Sequence, residues 1–242
     1  PGIMPRVIAE ISARTQVPVI AGTGSNNTKH AIELSREAEK LGVDGFLLVT
    51  PYYNKTNQRG LIEHFFTIAD HVNLPCIVYN VPSRTGVTIQ PETYLALSKH
   101  PGIAGAKEAS GNFSAIAQTM MLCGDELPIY SGNDDQIVPL LSLGGAGVIS
   151  VLANIVPEAV HEICQTYFEG ECELSAQLQK QYLELAQALF CDVNPIPVKA
   201  ALSLMGIHAG RCRLPLPAPN GKDLARIRDA LLKAGLPVMQ CC

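Results

Sequence analysis

Short apolar runs recur along this chain at a regular interval, and that rhythm restricts its fold more than any other feature. They lie at 17–22 (VPVIAG), 45–50 (GFLLVT), 75–80 (PCIVYN), 102–107 (GIAGAK), 128–132 (PIYSG) and 147–152 (GVISVL), and helical patterns separate them. Starts roughly 20–30 residues apart match a strand–helix unit, which predicts parallel strands joined by crossover helices. Strands covered by helices on a face need no strict polar alternation, and these runs show little. Between the first two, Ala31, Leu34, Ala38 and Leu41 recur at spacings of three and four, Asn26 or Asn27 can cap the start, and Gly42 can close the end. That predicts a helix with one buried face. After the sixth run the pattern changes to two helical segments over about 157–190. The second carries Leu178, Tyr182, Leu185 and Leu189 on one face, and a further helix fits 222–235 after the Pro-rich LPLPAPNG.

Two folds suit such a rhythm, a (β/α)8 barrel and an open doubly wound sheet. The turn GTGSNN (22–27) has Gly22 and Gly24 but Asn27 where a dinucleotide fingerprint needs its third glycine. Tight-turn glycines explain it better than nucleotide binding. The residues able to do chemistry fall at strand ends: Thr50 and Tyr53, Tyr79 and Arg84, Lys107, Asn133 and Asp134. In a barrel, function gathers at the loops of that face.

Composition narrows the partners. A net charge of −4 with no Lys/Arg cluster leaves no electrostatic footprint for nucleic acid. No apolar run approaches the roughly 18–20 residues that span a bilayer, and Pro1 opens a stretch without signal-peptide layout. The expectation is a cytoplasmic protein acting on a small molecule. Eight irregularly spaced cysteines favour reduced thiols over a disulfide framework. The six histidines form no HxxxH or HxH pair and no Cys-x-x-Cys occurs, so no metal is expected, and G-x-S-x-G is absent.

IAGAKEAS (103–110) places one lysine at the end of a small, apolar run. Taken alone, a solvated strand-end lysine is the commoner reading. Side chains alternate along a strand, so Ile103, Gly105 and Lys107 share a face, as do Ile77 and Tyr79 on the preceding strand. If that face is a barrel interior, Lys107 reaches the mouth, where partial desolvation would lower its amine pKa as a Schiff-base lysine requires. A nearby phenol from Tyr79 could pass protons. Arg84, in the stiff loop YNVPSRTG (79–86), suits bidentate recognition of a carboxylate.

The set AGTGSNNT (21–28), VTPYYNK (49–55), YNVPSRTG (79–86), KEASGN (107–112), YSGNDD (130–135), GVISVLAN (147–154) and NPIPVKAAL (194–202) resembles the dihydrodipicolinate synthase family, within the wider group of pyruvate-dependent class I aldolases. The resemblance covers nearly the whole chain in the family's order. It implies an α/β fold, a (β/α)8 (TIM) barrel with a C-terminal helical extension: residues 1–156 as barrel units three to eight and 157–242 as the extension. It also implies a lyase of lysine biosynthesis, built as a homotetramer of dimers, that joins pyruvate to L-aspartate-4-semialdehyde without a cofactor. Lys107 matches the Schiff-base lysine, Tyr79 the proton-relay tyrosine and Arg84 the arginine that receives the semialdehyde's carboxylate. Tyr53 matches a tyrosine whose ring crosses a dimer interface, and Ile149 a position whose carbonyl borders the pyruvate pocket.

Two departures follow. The family has two further strand–helix units before VPVIAG, so six strands are expected here, and an incomplete chain is the preferred reading. The second strand of the family ends in a Gly-Thr-Thr-Gly-Glu turn that has no counterpart here. A chain complete at this length is expected to have little or no synthase activity, since a sheet lacking two of eight strands cannot close. In lysine-inhibited members the effector lies near residues matching Asn26 and Tyr52, with a glutamate one helical turn beyond the asparagine. This chain has His30 there, and a neutral imidazole does not replace a carboxylate beside an ammonium. Weak or absent feedback inhibition is expected. The competing readings are N-acetylneuraminate lyase or a 2-keto-3-deoxy-sugar-acid aldolase, which share the lysine and tyrosine, and a non-catalytic remnant.

Overall fold

A computed structural model describes residues 3–239, which fall into two compact units. One holds the chain up to Gly132 together with Leu143–Ala146; the other holds Asn133–Ser142 and the chain from Gly147 onward. In chain order the first contains α1 (Ile3–Arg14), β1 (Ile20–Gly22), α2 (Thr28–Lys40), β2 (Gly45–Val49), α3 (Gln58–Ala69), β3 (Cys76–Asn80), α4 (Pro82–Thr85), α5 (Pro91–Ser98), β4 (Ile103–Glu108), α6 (Phe113–Cys123) and β5 (Ile129–Ser131). The second contains α7 (Ile137–Leu141), β6 (Gly147–Val148), α8 (Pro157–Phe168), α9 (Cys172–Gln181), α10 (Leu183–Ala188), α11 (Ile196–Leu204) and α12 (Gly221–Lys233).

In the first unit β1 to β5 lie side by side in chain order, all parallel. One sheet face is sealed: Phe46 and Leu48 of β2, Cys76 and Val78 of β3, and Ala106 of β4 are fully buried, with Leu61, Phe65 and Ile68 of α3 and Leu97 of α5. Each large apolar side chain removed from water in this way contributes about 1.5–3 kcal/mol. The alternate residues, Leu47, Val49, Ile77, Tyr79 and Lys107, are only half-buried. The period of two thus gives the sheet a packed face and a face with room for other chemistry.

The second unit is helical around one cluster that includes Ile137, Leu152, Ile163, Leu189, Ala201, Ile227 and Leu231. Asp134 anchors it, one carboxylate oxygen accepting the backbone N–H groups of Val151 (3.1 Å) and Leu152 (2.9 Å).

Most elements stand where the sequence predicts them, and the differences have local causes. The sixth strand, expected over 147–152, stops at Val148 because the amides of Val151 and Leu152 go to Asp134 and residues Leu152–Asn154 turn into a 3-10 helix. The first strand begins at Ile20 and not at residue 17: Pro18 has no N–H, and the Val19 amide goes to the Asp44 carboxylate at 2.7 Å. Helix α2 is capped by Asn27, whose side chain accepts the His30 amide. Its buried face is Ala31, Ser35 and Ala38; Leu41 is 38 % exposed and Ser35 takes part instead because its hydroxyl pairs with Thr23 at 2.8 Å. The second helical segment of 157–190 divides at Tyr182 (φ −96°, ψ 4°) into α9 and α10.

Candidate active site

The parallel register of β3 and β4 sets Tyr79 directly beside Lys107, and Lys107 beside Tyr130 of β5. The Lys107 amine lies 4.3 Å from the centre of the Tyr79 ring, within cation–π range. Burial raises the Tyr79 phenol above its usual pKa; the Arg84 charge opposes that shift and the Glu108 charge adds to it. The phenol therefore holds its proton at neutral pH and can give it up only to a developing base. Space beside the lysine depends on Gly132: a Cβ there would stand 2.7 Å from the Ala109 Cβ and 3.1 Å from the Lys107 Cε. The small size of Gly105 is needed by the sheet, since a Cβ there would meet the Pro128 carbonyl oxygen at 2.9 Å and the Tyr130 ring at 3.5 Å.

Directly behind this pair, on the sealed face, Asn80 is in register with Glu108. The buried Glu108 carboxylate accepts the Tyr94 hydroxyl at 2.6 Å, the Asn80 side-chain amide at 2.9 Å and the Ser110 backbone N–H at 2.6 Å. The Asn80 side-chain oxygen accepts the Ile89 amide at 3.1 Å. Sequence reasoning missed this network. Its one signal was a polar residue immediately after each residue with chemistry, Asn80 after Tyr79 and Glu108 after Lys107.

Arg84 lies exposed on α4, a single turn opened by Pro82 and closed by Gly86 in the left-handed conformation (φ +73°). The helix is tied to β2 through Thr85 and the buried Thr50, whose hydroxyls are 3.1 Å apart. Tyr79, Lys107 and Arg84 therefore belong to one unit and to adjoining strand ends. Tyr53 is not gathered with them: its ring is 90 % exposed, on a backbone held at φ +71°.

Of the three residues of the expected effector site, two meet. The Asn26 side chain donates to the Tyr52 carbonyl at 3.2 Å, and Asn54 donates to the Asn26 carbonyl at 2.9 Å. His30 lies on the first turn of α2, its Nδ1 3.5 Å from a Glu33 carboxylate oxygen. Ile149 belongs to the second unit, half-buried just beyond β6. Among the described residues no group of three or more His, Cys, Asp or Glu side chains is placed to hold a metal ion, and no helix is long and apolar enough to cross a membrane.

Parallel strands joined by helices, with a lysine and a tyrosine facing each other at strand ends, define an α/β enzyme of lyase type. The chain belongs to the dihydrodipicolinate synthetase family, whose family model matches residues 6–234. It is similar to 4-hydroxy-tetrahydrodipicolinate synthase 1 of Clostridium acetobutylicum, at 55 % identity over 221 residues that make up 91 % of this chain and 75 % of the relative. Among solved structures it is similar to the dihydrodipicolinate synthase of Cyanidioschyzon merolae with lysine bound (TM-score 0.93, 39 % identity, 97 % of this chain and 80 % of that one). The chloride-inhibited enzyme of Acinetobacter baumannii complexed with pyruvate matches comparably (TM-score 0.92, 42 % identity, 97 % and 81 %).

Proposed function

We propose that this chain catalyses the 4-hydroxy-tetrahydrodipicolinate synthase reaction, the condensation of pyruvate with L-aspartate-4-semialdehyde. The observation that carries the reading is the Lys107 amine poised 4.3 Å over the Tyr79 ring at the end of parallel strands. The amine adds to the pyruvate ketone and water leaves, giving an imine; loss of a methyl proton gives the enamine. The enamine carbon attacks the aldehyde, and the substrate's own amine then displaces Lys107 as the ring closes. Tyr79 carries protons at the imine and at the new alkoxide. Arg84 receives the carboxylate of the semialdehyde, a demand that a sugar aldehyde would not make. The covalent link to Lys107 takes the place of a cofactor.

The strands serve in a (β/α)8 barrel over residues 1–156, with 157–242 as a helical extension. Tyr53 reaches into the site of a second subunit within a cytoplasmic homotetramer built from dimers. The exposure of the Tyr53 ring supports that reading.

Incubation with pyruvate followed by borohydride, with peptide mass mapping, tests the proposal. A reduced pyruvate adduct on Lys107, absent from Lys107→Ala, is the expected result; a folded protein that gives no adduct overturns it. Feedback by lysine is expected to be weak, because Asn26 and Tyr52 meet while His30 supplies an imidazole where a carboxylate is needed. Half-inhibition by submillimolar lysine would contradict this.

A further inference from the structure

The position of Glu108 has no explanation in packing alone. A carboxylate in a sheet interior carries a large desolvation cost, which an apolar residue of similar size would avoid. It is nevertheless buried, next in sequence to Lys107, and the residue paired with it is Asn80, next in sequence to Tyr79. Its three donors come from three places: Asn80 at the end of β3, Tyr94 in the middle of α5, and the Ser110 amide just beyond β4. Asn80 in turn holds the Ile89 amide, ahead of α5, so that the network ties both strand ends to the segment leading into that helix.

We infer that Glu108 is a positioning residue for the reaction, its bonds to Asn80 and Tyr94 fixing the ends of β3 and β4 so that the Tyr79 ring stays in register beneath the Lys107 amine. The geometry demands such a device. Side chains on opposite faces of one strand move with the same backbone, so a shift of Asn80 against Glu108 is also a shift of Tyr79 against Lys107. A register irregularity at Cys76/Ile77 shows that these two strands are not held in step along their whole length. Near their C-terminal ends the polar pair keeps them so.

The carboxylate has a second consequence for the phenol. Around Tyr79 stand Lys107 on β4, Arg84 on α4, Tyr130 beside Lys107 on β5, and Glu108 behind. Around Glu108 stand Tyr94 of α5 and Asn80 of β3, with Cys123 of α6 near Tyr94. The negative charge of Glu108 favours the protonated phenol, and Arg84 disfavours it. Removing the charge while keeping the shape lets Tyr79 ionise at lower pH.

The inference rests on the proposed Schiff-base reaction, so trapping of pyruvate on Lys107 in the unaltered full chain comes first. Failure there would overturn the Schiff-base reaction and this inference with it; success isolates the present claim. Glu108→Gln and Glu108→Asp are then compared by steady-state kinetics, melting and pH profile. Both are expected to lower kcat about 10-fold or more with KM for pyruvate within about 2-fold, since an electrostatic and positioning contribution is felt in the transition state. Only Glu108→Gln is expected to move the alkaline limb of the kcat profile to lower pH, because Glu108→Asp keeps the charge. Tyr94→Phe, which leaves the carboxylate in place, is expected to lower kcat several-fold with an unmoved limb, and it serves as the decisive variant if Glu108→Gln does not fold. Variants that melt earlier but keep kcat, or a limb that moves equally in the Gln and Asp variants, would overturn the inference.

Discussion

A lysine amine over a phenol ring divides the proposed work between two residues, and their substitution should separate the halves. Lys107→Ala is expected to abolish the trapped adduct. Tyr79→Phe keeps the ring beneath the amine and removes only the hydroxyl, so the adduct should still form while turnover falls by roughly 10²-fold or more, the usual loss of a positioned acid–base group. Unchanged turnover in Tyr79→Phe would remove the hydroxyl from the proton relay and leave the ring a packing role. Lys107, Tyr79 and Arg84 were legible because alternation along a strand and the position of a strand end are local properties of the sequence. Glu108, Asn80 and Tyr94 were not. A buried carboxylate makes sense only through its donors, and nothing local in the sequence announces that Tyr94, fourteen residues before Glu108, is one of them.

Elements were predicted well wherever one segment contained the whole cause. The α2 helix has its cap in Asn27 and its termination at Gly42 (φ +85°) within the same stretch, and Asn27→Ala is expected to cost about 1 kcal/mol by leaving the His30 amide unpartnered, measurable as a lower melting temperature. The buried side of that helix was less legible, because Ser35 faces inward only by virtue of Thr23 on another segment. Likewise β6 reads as six residues of strand and forms two, since Asp134 competes for its amides from outside. The turn after β5 carries a tight constraint next to the lysine. Gly132→Ala sets a Cβ against Ala109 and the lysine stem, so a loss of about 1–3 kcal/mol in stability together with slower pyruvate trapping is expected. An alanine variant that melts and reacts as the parent does would show that the strand end can yield.

For the whole molecule the acid limit of stability is set in part by one histidine. His64 of α3 is buried, joined to Thr28 of α2 at 2.9 Å, and burial lowers its pKa from 6.5 to about 4. The unfolded chain therefore binds a proton in a range where the folded chain does not. Stability is full above about pH 6.5, declines as the pH falls toward 4, and below that has lost about 3 kcal/mol from this group. His64→Gln, which can keep a bond to Thr28, should flatten the decline between pH 6.5 and 4 in denaturant titrations; an identical slope in the variant would assign the acid sensitivity elsewhere. The parallel α/β class was readable at this scale because strand spacing is a property of the entire chain. The course of the chain through its two units was not, since no composition shift marks Gly132. The first unit is completed by Leu143–Ala146, where the Ala146 amide donates to the Ile129 carbonyl of β5 at 2.8 Å, after the chain has already supplied Asn133–Ser142 to the second. A ribosome releasing this polypeptide cannot finish one unit before starting the other, and translational pausing between residues 132 and 146 would leave β5 without that partner while the second unit has only its first ten residues.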